Sequence, residues 1–141
     1  MATFTKVYDF VQQLGTKAHN LNTDVFKIAL TDVAPTTATV SWSVGAFPAP
    51  TNTFGYAPGG SPITVTSLSN SAGVATFLAS NDLVFTGTGG QLGPFRYAIM
   101  YNVTAGNLAV GWYDYTSSLT LNSQETFTID FNQGTGIFTI T

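Results

Sequence analysis

Residues 26–31 read FKIALT, and their alternation decides the fold class. Phe26, Ile28 and Leu30 fall on one side of an extended chain, with Lys27, Ala29 and Thr31 on the other. That period of two is the mark of a half-buried β-strand. Pro35 follows closely. Working outward, strand-like runs recur at Thr39–Val44, Ile63–Leu68, Val74–Ala79, Leu83–Thr86, Phe95–Tyr101, Leu108–Tyr113, Ser118–Leu121, Thr126–Phe131 and Ile137–Ile140. They are rich in Val, Ile, Thr, Phe and Tyr, the side chains that suit a pleated surface. Turn-rich pieces separate them: GAFPAPTNTFGYAPGGSP at Gly45–Pro62, GTGGQLGP, NVTAGN and NQGTG. Short strands divided by glycine and proline clusters predict an all-β protein, a single β-sandwich or jelly-roll-like domain of about eight strands over residues 25–141.

The first eighteen residues follow a different period. Phe4, Val7, Tyr8, Val11 and Leu14 recur at spacings of three and four, which predicts a short amphipathic helix with Thr3 as N-cap and Gly15 weakening its last turn. Such a helix either lies on its own domain or reaches a neighbouring subunit as an arm. The other departure is the long irregular piece 45–62, with four prolines and the apolar residues Phe47, Phe54 and Tyr56. Those three rings either pin the loop to its own core or present it to a partner. No linker or repeat marks a second domain within residues 1–141.

Composition narrows the function classes. Of 141 residues only 8% are charged, while 44% are hydrophobic and 13% aromatic; an ordinary globular domain carries about 25% charge. A surface of Thr, Ser, Asn, Gly and aromatic rings suits a protein packed against neighbours. Net charge is −3, and the four cationic side chains Lys6, Lys17, Lys27 and Arg96 are scattered. Nucleic acids and anionic membranes, which select clustered Lys and Arg, are therefore not expected partners. With no cysteine, disulfides and thiolate metal sites do not arise. The opening MATFTKVYDFVQQLG has no apolar stretch of signal-peptide type, and no segment approaches about 18 apolar residues.

Little in the sequence has the pattern of catalysis. His19 is the single histidine and lies in a polar connection, AHNLNTD, without a nucleophile elbow anywhere in the chain. Asp114 and Asp130 are carboxylates in the C-terminal strands that a glycosidase would need facing each other, but strand-end residues that blunt sheet edges read the same way. No D-x-D-x-D cluster suggests calcium. Gly87–Gly93 superficially resembles a phosphate loop, yet Pro94 and a strand follow it instead of a helix. Neither catalytic residues, nor a metal, nor a cofactor is expected. The aromatic set Tyr97, Tyr101, Trp112, Tyr113 and Tyr115 admits sugar stacking, although alternation places Phe95, Tyr97, Ile99 and Tyr101 on one face as core. Arg96, on the opposite face, is a candidate to meet a partner's carboxylate.

The phrase FVQQLGTKAHNLNTDVFKIALTDVAP, Phe10–Pro35, joins a short helix to the pattern K-x-HNL-x-TD-x-F-K-x-x-LT-x-x-AP. With GGQLGPFRYAIMYN, VGWYDYTSSLTLNSQETFTIDF and the closing GIFTIT, it resembles a family of small structural proteins of tailed bacteriophages. The likeness spans nearly the whole chain, with the 45–62 loop least similar. It implies a non-enzymatic virion part, best matched by a capsid decoration (cement) protein made in the host cytoplasm and located on the capsid surface. Its expected partners are the major capsid protein and further copies of itself, as a homotrimer. A tail, neck or fibre component, or a carbohydrate-binding β-sandwich with exposed rings near Trp112 and Tyr113, are the alternatives. On the favoured reading the helix at 3–18 and the loop 45–62 make the contacts, through Phe4, Tyr8, Val11, Phe47, Phe54, Tyr56 and Arg96.

Overall fold

The FKIALT stretch is strand β2 (Phe26–Thr31), and it lies inside a six-stranded antiparallel sheet. The protein is described by a computed structural model over residues 2–141. Its centre is a long hairpin of β8 (Leu92–Asn102) and β9 (Leu108–Leu121), flanked by β1 (Phe4–Lys6) on one side and by β2 and β4 (Ser61–Ile63) on the other. The two-residue β3 (Asn52–Thr53) pairs with the start of β8. A second layer is divided in two: β5 (Val65–Ser71), β6 (Val74–Ala79) and β11 (Phe138–Ile140) form one sheet, β7 (Leu83–Thr86) and β10 (Thr126–Ile129) the other. Aromatic contacts join the layers. Phe26 meets Phe77 at 5.4 Å, Phe4 stacks on Phe138 at 5.6 Å, and Phe95 meets Phe127 at 5.0 Å. Phe10, Phe26, Phe77, Phe95 and Phe131 are fully buried, each contributing roughly 1.5–3 kcal/mol by removal from water. The expected all-β sandwich with a short N-terminal helix is the architecture found.

Several boundaries differ from the sequence reading, each for a physical reason. Phe4 begins no helix: residues 4–6 pair with Gly111–Tyr113 along the edge of β9, and the helix α1 spans Tyr8–Gly15. Thr3 is therefore not its N-cap; the Tyr8 amide donates instead to the Thr37 carbonyl at 2.8 Å. The buried side of α1 is Val7 and Phe10, with Leu14 half-buried, while Tyr8 and Val11 point to solvent.

Thr39–Val44 is not a strand. Because β1 already occupies the β9 edge at Gly111–Tyr113, only the bridge Ser41–Leu108 forms, supported by bonds from the Trp42 amide to Asn107 and from the Ala109 amide to Val40. Ile63–Leu68 divides at Thr64, with Ile63 pairing Phe26 in the first layer and Val65 pairing Ala79 in the second. Leu108–Tyr113 and Ser118–Leu121 are one strand interrupted by an irregularity, where Thr116 adopts a φ of 68°. Asp114 steadies that kink by accepting from the Thr116 amide at 2.8 Å. In the long loop, Gly60 has a φ of +76° and lies so close to β2 that a Cβ would meet the Ile28 carbonyl oxygen at 1.8 Å; only glycine fits there.

Candidate functional site

Of the seven residues expected at an interface, the six apolar and aromatic ones divide into three groups. Tyr8 and Val11 stand out from α1, 73% and 64% exposed. Phe54 is also exposed, its ring lying over Gly90, where a Cβ would come within 2.7 Å of it. Phe47 and Tyr56, by contrast, are buried in the protein's own core. They pin the loop, which removes them from the side chains available to a partner in this conformation. Phe4 is half-buried between Tyr113 and Phe138, a core position created by the β1–β9 pairing.

Tyr56 has a particular task. Strand β4 covers the outer edge of β2 only as far as Ile28, opposite Ser61. Beyond that point the Leu30 amide would lack a partner, and it donates to the Tyr56 hydroxyl at 2.9 Å. Burial pushes this hydroxyl up to about 12, against a smaller opposing effect of its bond to the Leu30 carbonyl. Tyr101 works in parallel: its hydroxyl donates to the Gly59 carbonyl at 2.6 Å while Trp42 stacks on its ring at 4.5 Å. The loop is thus a cover laid on the first layer and held by side-chain hydroxyls.

Arg96 was expected to meet a carboxylate of a partner. Its carboxylate is internal: Nε and Nη2 donate to the two oxygens of Asp114 at 2.8 and 2.9 Å, a bidentate pair at a half-exposed site. The paired guanidinium, followed by the Thr116 amide, holds the Asp114 carboxyl below its ordinary range. Asp114 and Asp130 do line one cavity. Among the described residues the arrangement is an ion pair beside one unpaired carboxylate, however, not two unpaired carboxylates facing each other.

His19 is buried and its two ring nitrogens are both used. The Asn102 side-chain nitrogen can only donate, so it gives to Nδ1 at 3.0 Å, and Nε2 then carries the proton toward Gln13 Oε1 at 3.0 Å. The same Asn102 amide reaches Asp24 at 2.7 Å. Desolvation lowers the histidine's pKa, partly offset by Asp24. This network ties the end of α1 to the end of β8. Among the described residues, no group of three or more His, Cys, Asp or Glu side chains could hold a metal ion, and no helix is long and apolar enough to cross a membrane.

The glycine loop 87–90 is fastened, not free. Gly87 exchanges backbone bonds with Glu125 and Gln124, the Gly89 amide donates to Ser123, and the Thr88 amide donates to Phe54. The rings considered as a sugar platform are also mostly internal: Tyr97, Tyr101, Trp112 and Tyr113 are buried, and Tyr115 is half-buried. Trp112 and Tyr113 are therefore not the exposed rings that the carbohydrate alternative expected. Phe95 contacts Phe127 in the second layer, whereas Tyr101 contacts Trp42 in the loop cover, so β8 is covered on both sides.

The feature that sequence reasoning missed is a charge-free span. From Val33 to Asn81 there is not one charged side chain. In space this span supplies the 36–60 cover, β4 and the β5–β6 hairpin, and it exposes Val33, Val40, Val44, Phe54 and Leu68. Tyr8 and Val11 adjoin it, because the α1 N-terminus is bonded to Thr37. Strand β5 is an edge strand of seven residues, VTSLSNS, with neither proline nor charge to blunt it. The signal was legible as a gap between Asp32 and Asp82. Compared with known protein families, with curated proteins and with solved structures, the chain finds no match in any of the three.

Proposed function

We propose that this protein is a structural part of a tailed-phage particle, a capsid decoration protein that binds the shell as a trimer and stabilises it. The observation that carries the reading is the charge-free span Val33–Asn81 with its exposed apolar side chains. Contacts made through such a surface leave few charges to desolvate, which is where association usually loses free energy. The exposed Tyr8 and Val11 beside it extend the apolar area. The fastened loop cover keeps that surface in one shape, which lowers the ordering cost of binding. The sequence resemblance supplies the specific role, and the surface supplies a physical means of performing it.

The test is sedimentation of the purified protein with empty shells of the phage that encodes it. Saturable binding at a copy number in multiples of three, with a higher rupture temperature for the decorated shell, is the expected result. Protein that stays in the supernatant at every concentration overturns the reading. A tail or neck role would instead appear as binding to tails and not to shells.

A further inference from the structure

A cavity of about 490 Å³ opens on the first layer beside β10, lined by Ala2, Tyr113, Asp114, Tyr115, Thr116, Thr128 and Asp130. Its size falls among small-molecule sites, about 300–1,000 Å³. The two tyrosines belong to β9, and their rings are 6.3 Å apart. Tyr113 is held from behind by Phe4, and Tyr115 by an edge contact with Phe127 at 4.7 Å. Both rings are thus fixed before any ligand arrives.

Part of the polar lining of this cavity is unspent. Tyr113 is only 6% exposed, yet neither its hydroxyl nor that of Tyr115 has a hydrogen-bond partner among the described residues, and burial raises the pKa of both. The Trp42 indole nitrogen is the one side-chain polar atom among the described residues that is both sealed from solvent and unpartnered. Tyr113 lines the cavity, and its hydroxyl is not such an atom. Asp130 is exposed and takes no part in the one salt bridge among the described residues, the Arg96–Asp114 pair. Asp114 is already committed through both oxygens.

We infer that this cavity binds a neutral pyranose sugar, with Asp130 accepting from adjacent ring hydroxyls and the Tyr113 and Tyr115 hydroxyls bonding the remainder. The chemistry selects against the other classes. The free groups include a pure acceptor, the carboxylate, and hydroxyls that both donate and accept. An inorganic phosphate would only accept and would be repelled by Asp130. An ammonium group would only donate, leaving the phenol protons unpaired at a buried site. A polyol presents donors and acceptors together, which matches a carboxylate beside two phenol hydroxyls. The inference is independent of shell binding: the site is remote in sequence from the charge-free span and uses none of its residues. On a phage particle it would provide a weak hold on a glycan-coated surface.

Saturation-transfer NMR on the intact protein tests it, with D-glucose, D-galactose, D-mannose, N-acetyl-D-glucosamine and L-rhamnose as probes. The variants Tyr113→Phe and Asp130→Asn keep ring, volume and the hydrogen bonds of the fold. Transfer to at least one sugar is expected, with amide shifts confined to residues 113–116 and 128–130. Either substitution should weaken binding by about tenfold, the effect of one charge-assisted or buried hydrogen bond. Nα-acetyl-lysine methylamide serves as the ammonium probe. No transfer to any of the five sugars, transfer unchanged in both variants, or binding of the lysine probe in place of the sugars would each overturn the assignment.

Discussion

Removing one oxygen atom, by Tyr56→Phe, should unfasten the loop cover from β2. The hydroxyl accepts the Leu30 amide proton at 2.9 Å at a buried position, just past the point where β4 stops pairing. Phenylalanine keeps the ring contact with Phe85 but leaves that N–H without a partner. The cost of such an orphaned donor is about 1–3 kcal/mol. For 141 residues the unfolding entropy at the midpoint is about 0.3 kcal/mol per degree, so a loss of about 2 kcal/mol lowers Tm by roughly 7 °C.

The pH dependence supplies a second signature. The folded-state pKa of Tyr56 is raised to about 12 from an unfolded value of about 10. Its contribution is fully present below about pH 10 and is lost as pH rises toward 12, because the unfolded chain gives up its proton first. Wild type should therefore lose up to roughly 3 kcal/mol across that window that the phenylalanine variant does not. Urea unfolding at neutral pH and near pH 11, with hydrogen exchange at residues 51–60, measures both. A variant within about 0.5 kcal/mol of wild type at neutral pH, equally protected in the loop and equally sensitive to alkali, would refute the reasoning.

Other substitutions probe separate parts of the account. Phe77 is fully buried between Phe26 and Phe138, and Phe77→Ala should cost about 3–5 kcal/mol, read from the urea midpoint at unchanged slope. His19 titrates below its ordinary value in the folded state, so stability should fall as pH drops below about 6.5 toward that lowered value and then level off. His19→Gln should flatten this part of the urea-midpoint profile. At the half-exposed Arg96–Asp114 pair, Arg96→Met should leave the urea midpoint close to that of wild type, and added salt should shrink any difference. Tyr8→Ser and Val11→Ser, at exposed positions, should leave Tm within about 2 °C of wild type while weakening the proposed self-association, measured by light scattering.

Strand character was legible where the patterned run is paired along its whole length. FKIALT and VATFLA need nothing beyond their own pattern, and both are strands as read. Thr39–Val44 has an equally good alternation and fails because β1 takes the hydrogen-bonding edge it would have used. Competition for an edge is a tertiary fact that no local window contains. The same holds at the N-terminus, where Phe4 fits a helical face but finds Tyr113 across a strand pair. For the interface residues, type was readable and direction was not: Tyr8, Val11 and Phe54 face outward, Phe47 and Tyr56 inward, although all are apolar. Arg96 looked unpaired because its partner Asp114 lies eighteen residues away, across the irregular part of the β8–β9 hairpin.

Amide hydrogen exchange on the protein, free and mixed with empty shells of a tailed phage that carries its gene, reports both whether the proposed contact occurs and through which surface. Added protection is expected within residues 33–60 and along the β5 edge at 65–71, together with the exposed side of α1. The cavity residues 113–116 and 128–130 should be unchanged. Exchange identical at every amide with and without shells, or protection confined to segments outside 33–81 and α1, would contradict it.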